Sequence, residues 1–120
     1  MKDIQYNTIV QAVRDMCIRG CTVADPRVVE ALAAGRGSER SELAATILGQ
    51  IEENARIAGQ TGRPLCQDTG LAVFFVEIGS DVRIVGGELI DAINHGVRQG
   101  YGDGYLRKSV VSDPVRRVNT

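Results

Sequence analysis

Residues 64–70 read Pro-Leu-Cys-Gln-Asp-Thr-Gly, and the four positions from Cys66 to Thr69 carry a thiol, a carboxamide, a carboxylate and a hydroxyl in succession. A cysteine thiolate is a soft ligand that suits zinc, copper(I) or an iron–sulfur cluster. Asp68, two residues on, can accept a proton or orient a ligand. One cysteine does not make a metal site, because a structural zinc or a cluster needs three or four ligands. The same residues also read as a small buried thiol followed by an Asp-Thr-Gly turn, since free cysteine packs well and Asp and Gly both favour turns.

Other residues with chemical potential are sparser. Arg98, Arg107, Lys108, Arg116 and Arg117 face only Asp103 and Asp113 in the final stretch of the chain. An arginine there can fork a planar carboxylate, and a solvated basic tail is the plainer reading. Gly100-Tyr101-Gly102-Asp103-Gly104 is glycine-rich, but it follows a helical pattern instead of a strand. It therefore reads as a mobile turn and not a phosphate cradle. Cys17 and Cys21 lie four apart and read as packing thiols. His95 falls on the polar side of a helical pattern and reads as a surface residue, since zinc requires clustered ligands.

The chain has 120 residues, enough for one domain with a modest core. A hydrophobic fraction of 43% fits a globular chain, and a net charge of −1 gives no bulk field toward nucleic acid or an anionic membrane. Tryptophan is absent and Phe plus Tyr number five, so base-stacking platforms are poorly supplied. No apolar run is long enough to span a bilayer, and the N-terminus lacks a secretory core. An odd cysteine count without an export signal points to a reducing cytoplasm.

The elements that must hold the 64–70 loop follow from periodicity. Tyr6, Ile9, Val10, Val13, Met16 and Cys17 form one stripe of a helix over residues 3–19, with Gly20 as its stop. Asp25-Pro26 opens a second helix as N-cap and first residue, ended by Gly35-Arg36-Gly37. Ser38 or Ser41 caps a third, with a stripe of Leu43, Ala44, Ile47, Leu48, Ile51, Ala55 and Ala58, closed by Gly59, Gly62 and Pro64. Beyond the loop, Leu71–Ile78 reads as a strand covered on both faces, and Val82–Val85 as its shorter partner in a β-hairpin. Gly86-Gly87 leads into a fourth helix through Leu89, Ile90, Ile93 and Val97. The fold expected is α+β: N-terminal helices packed on a small sheet with a β-hairpin and a further helix. Residues 1–120 read as a single domain, and the ending at Asn119-Thr120 reads as a cut.

The stretch Pro64–Gly70, the apolar run after it, and Leu106-Arg107-Lys108-Ser109-Val110-Val111-Ser112-Asp113-Pro114 together resemble class I fumarate hydratase, in the N-terminal region of its alpha subunit. The resemblance covers essentially the whole chain. It implies a [4Fe–4S] cluster held by three cysteines, with one iron left open for substrate. Cys66 matches the first cluster ligand, Gln67 and Asp68 match substrate-contacting residues with Asp68 as the catalytic base, and Arg107 matches the arginine that grips a substrate carboxylate. The implied activity is reversible hydration of fumarate to L-malate by an oligomeric cytoplasmic lyase. The implied partners are a small dicarboxylate and a beta subunit or C-terminal domain of the same enzyme, with no nucleic acid and no membrane.

The Cys-Gln-Asp-Thr-Gly loop does not separate fumarase from L-tartrate dehydratase, although the Leu106–Pro114 stretch looks more like the fumarase branch. The sequence also departs from the family pattern. No cysteine follows Cys66, and Cys17 and Cys21 do not correspond to the family's other ligands. The chain thus supplies one cluster ligand of three, and a partner-binding module without a complete cluster site is the reading of a different class.

Overall fold

Four helices and one two-stranded sheet make up the computed structural model, which describes residues 1–66 and 71–119. The α+β class is as expected. By chain contacts the protein divides into two compact units: Met1–Ile18 with the described part of Gln67–Thr120, and Arg19–Cys66.

In the second unit the helix starts and stops follow the capping residues. The helix α1, Tyr6–Thr22, runs through Gly20 and ends in this unit. Asp25 then caps α2, Pro26–Ser38, by accepting the Arg27 amide at 2.8 Å, with proline in the first turn. Ser41 accepts the Ala44 amide at 3.4 Å and opens α3, Glu42–Thr61. Helices α2 and α3 pack on each other. Arg36 on α2 donates to Glu52 on α3 at 2.9 Å. Ala58 is the buried point of α3. Of the expected α3 stripe, Leu43, Ile47 and Ile51 are exposed, while Ala44, Leu48 and Ala55 are half-buried and Ala58 is buried.

In the first unit the sheet differs from the expected hairpin. Residues 71–79 form no strand, and β2, Val82–Val85, pairs in parallel with β1, Lys2–Gln5. The physical reason is the N-terminal segment. Val82 closes a tight turn onto the Gly79 carbonyl at 3.1 Å, and Lys2 donates its amide to the Asp81 carbonyl at 2.7 Å. Asp3 and Arg83 are register partners and form a two-pronged ion pair at 3.0 and 2.8 Å. β1 therefore occupies the edge that the apolar run was expected to take, and α1 begins at Tyr6 and not at Asp3.

The last helix, α4, runs Leu89–Asp103 and continues through Gly100 and Gly102, where a mobile turn was expected. Ala92, Gly96 and Gly100 are buried at intervals of four and form one face against α1. A Cβ built on Gly96 would meet Val13 and the Val10 carbonyl, and one on Gly100 would meet Cys17 and the Arg14 carbonyl, at 2.6–2.9 Å. Only glycine lets the two backbones approach this closely. Arg14 secures the far end by donating to Asp103 at 2.7 Å. Val10, Val13, Ala92 and Leu106 are the buried apolar residues of this unit.

Candidate functional site

The position of Cys66 is set by three local decisions within the second unit. Gly62 ends α3 in the left-handed conformation, φ 68°, donating its amide to Ala58 O at 2.9 Å. The chain then turns back. Leu65 donates its amide to the Cys21 carbonyl at 2.8 Å. Cys21 lies in the last turn of α1, where carbonyls have no partner within the helix, so this bond gives its carbonyl a donor from another segment. Cys66 donates its amide to Asn54 Oδ1 on α3 at 3.0 Å. Two consecutive amides are thus tied down, and Cys66 itself is exposed with a free thiol. The alternative of a buried packing thiol does not hold for Cys66. It suits Cys17 and Cys21 better, which are half-buried.

Arg107 is presented by a cap of a different kind in the first unit. Leu106 donates its amide to Tyr101 O at 3.1 Å and Tyr105 to Gly102 O at 3.3 Å. This is the Schellman pattern of 6→1 and 5→2 bonds, with the left-handed position filled by Tyr105 at φ 53° in place of the usual glycine. Leu106 is buried at 5% exposure and anchors the turn, and Arg107 follows it at the surface. Further on, Asp113 Oδ1 accepts the amides of Val115 and Arg116 at 2.9 and 2.7 Å. Val111 and Asn119 pair in an antiparallel bridge, and the Asn119 carboxamide donates to the carbonyls of Lys108 and Val110. The stretch 106–119 is thereby folded on itself.

A groove of about 810 Å³ lies in the same unit, lined among others by Leu71, Phe74, Arg98, Tyr101, Lys108 and Ser109. Among the described residues its walls carry two basic side chains, Arg98 and Lys108, and no acidic one. Two of its lining residues stand next in sequence to the motif stretches: Leu71 follows residue 70, and Lys108 follows Arg107.

Of the residues singled out by sequence, Cys66 belongs to the second unit and Arg107 to the first. Gln67 and Asp68 lie outside the described residues. Among the described residues no three His, Cys, Asp or Glu side chains gather in a group able to hold a metal. His95 is not the surface residue expected. It is half-buried, 3.4 Å from Tyr6 Oη and 3.1 Å from Gln99 Nε2. Asn54 escaped the sequence reading. Its signal was its place inside a helix, where asparagine costs roughly 0.5–0.7 kcal/mol relative to alanine and so calls for a compensating contact.

The donor chemistry at Cys66 fits an iron–sulfur cluster as one ligand: an exposed soft thiol at a fixed backbone position. Comparison with known proteins bears on the family. Residues 10–120 match the family described as fumarate hydratase (Fumerase). A Methanocaldococcus jannaschii protein, provisionally named L(+)-tartrate dehydratase subunit alpha, is 37% identical over 95 residues, covering 77% of this chain and 32% of that protein. The L(+)-tartrate dehydratase subunit alpha of Escherichia coli K12 is 29% identical over 110 residues, covering 92% of this chain and 36% of its own length. The chain spans about a third of the length of these relatives.

Proposed function

The chain belongs to the fumarate hydratase (Fumerase) family, and we propose that it forms the cluster-bearing corner of an iron–sulfur hydro-lyase acting on a small dicarboxylate. The observation that carries the reading is Cys66: an exposed thiol, held by its own backbone amide, at the head of the Cys-Gln-Asp-Thr-Gly loop. Cys66 is one of three thiolate ligands to a [4Fe–4S] cluster, and the other two come from outside the described residues. When bound, the cluster supplies a Lewis-acidic iron that polarises the substrate hydroxyl.

The remaining tasks fall to side chains of this chain. Arg107 grips one substrate carboxylate with its guanidinium fork, which a single ammonium cannot match in geometry. Gln67 offers a carboxamide to the same substrate. Asp68 serves as general base at the carbon that loses its proton, a role open to a carboxylate whose pKa suits the working pH. Arg98 and Lys108, which line the groove of the first unit, favour an anionic substrate.

The reading requires more polypeptide than this chain. Leu71, Val73, Phe75, Val76 and Ile78 are all exposed, Phe75 at 97%. Exposed apolar side chains this dense in one stretch mark a surface that another part of the enzyme covers. The rest of the subunit, or a beta subunit, is the covering element. No helix among the described residues is long and apolar enough to cross a membrane, and the proposed setting is the cytoplasm.

Fumarate hydration to L-malate is the reaction we favour. Tartrate dehydration is the second reading, and the names of the relatives favour it. Steady-state turnover of L-malate and L-tartrate by the assembled enzyme separates the two. Arg107→Lys in that enzyme is expected to raise KM for the diacid and reduce kcat/KM about tenfold or more, in line with loss of a charge-assisted two-pronged bond. Unchanged kinetics in the lysine variant would remove Arg107 from the site.

A further inference from the structure

We infer that Asn54 is a positioning residue for Cys66: its carboxamide oxygen fixes the Cys66 backbone so that the thiol is aimed before any metal arrives. The inference rests on the reading of Cys66 as a cluster ligand. Asn54 sits in the interior of α3, twelve positions before Cys66, and Oδ1 accepts the Cys66 amide at 3.0 Å. Asparagine is a weak choice for a helix interior because its side chain competes for nearby backbone groups. Here its acceptor is used on another segment. The neighbouring amide, Leu65, is held by the Cys21 carbonyl at 2.8 Å. The backbone entering Cys66 is therefore fixed at two consecutive amides, by two different helices, and the Cα–Cβ direction of Cys66 follows from that.

This arrangement supports a metal ligand from behind, through its backbone, without touching the metal. Outer partners of this kind typically set metal affinity by 10–100-fold, and a site held by such partners needs less ordering when it loads. Glu52, two positions before Asn54 on α3, accepts instead from Arg36 at 2.9 Å.

The test uses the complete enzyme, loaded anaerobically with iron and sulfide. Asn54→Leu keeps the size of the side chain and deletes the acceptor. Asn54→Asp keeps an acceptor at the same place and adds a charge. The expected result is that Asn54→Leu loses iron to a chelator about tenfold faster than wild type, with an altered paramagnetic resonance spectrum of the reduced cluster. Asn54→Asp retains iron within about twofold of wild type, since the bond persists, and its cluster potential moves negative because of the nearby carboxylate. If Asn54→Leu does not fold, Asn54→Ser carries the same comparison, because its shorter hydroxyl falls short of the Cys66 amide.

Iron loss and spectra in the leucine or serine variant that match wild type would overturn the inference. So would equal impairment of the leucine and aspartate variants with helical content unchanged. Cys66→Ser run alongside distinguishes the two levels. If it sheds iron while the Asn54 variants hold theirs, the positioning role alone falls. If Cys66→Ser keeps its full cluster, the ligand reading itself falls, and the role of Asn54 with it.

Discussion

Gly96→Ala offers a test of how α4 is seated, and through α4 of how Leu106 and Arg107 are placed. A Cβ at position 96 would stand 2.6 Å from Val13 Cβ and 2.7 Å from the Val10 carbonyl oxygen. The oxygen belongs to the α1 backbone and cannot rotate away, so α4 must shift outward. Overpacking of this kind costs about 1–3 kcal/mol. Alanine recovers up to about 1 kcal/mol over glycine through helix propensity. The contacts are severe enough to leave a net loss of roughly 1–2 kcal/mol. Gly102 lies on the same helix with nothing within 4 Å of its built Cβ. Gly102→Ala therefore carries the propensity gain alone, about 0.5–1 kcal/mol of added stability. Urea denaturation of both variants, followed by circular dichroism, should move the two midpoints in opposite directions with little change in slope. In a unit of this size each kcal/mol corresponds to about 4–8 °C in Tm. A Gly96→Ala variant as stable as wild type would refute the close α1–α4 contact. Matching gains in both variants would do the same.

Two further tests address the caps. Tyr105 holds a left-handed conformation at φ 53° with 88% of its surface exposed. Tyr105→Gly should stabilise the chain by about 1 kcal/mol, relieving a bulky residue where the Schellman cap favours glycine; a destabilised variant would show that the tyrosine ring makes contacts the fold depends on. The Arg27 side chain and amide hold the Asp25 carboxyl below its ordinary pKa. A depressed folded-state pKa contributes stability above the ordinary carboxylate range, and this is lost as pH falls through the folded value. The α2 cap should thus weaken below about pH 4. Asp25→Asn, which still caps but does not titrate, should flatten that part of the stability–pH curve, and an unchanged acid limb would assign it to other carboxylates.

Local chemistry was readable in the residues where the deciding interaction lies close in sequence. Asp25-Pro26, Ser41 and Gly62 mark helix ends because each satisfies a backbone group within three or four positions. What could not be read depends on partners far away. The apolar run 71–78 has the composition of a strand, but the edge of β2 is taken by residues 2–5, and the Asp3–Arg83 pair that fixes this spans 80 positions. The glycines of α4 look like breakers in isolation, and only the approach of Val10, Val13 and Arg14 shows why they are helical. Tyr105 hid a cap that a glycine would have advertised. For the site, the motif stretches were legible as dense chemistry, whereas the support of Cys66 by Asn54 required the return of the chain over α3.

The claim on which the rest depends is that the sulfur of Cys66 binds iron. The most direct measurement is iron and acid-labile sulfide per chain, with the paramagnetic resonance spectrum of the reduced cluster, in the complete enzyme reconstituted anaerobically as wild type and as Cys66→Ala. The account predicts about four irons with the signal of a reduced [4Fe–4S] cluster in the wild type, and loss of most iron and of that signal in the variant. Equal iron, sulfide and spectra in the two proteins would contradict it.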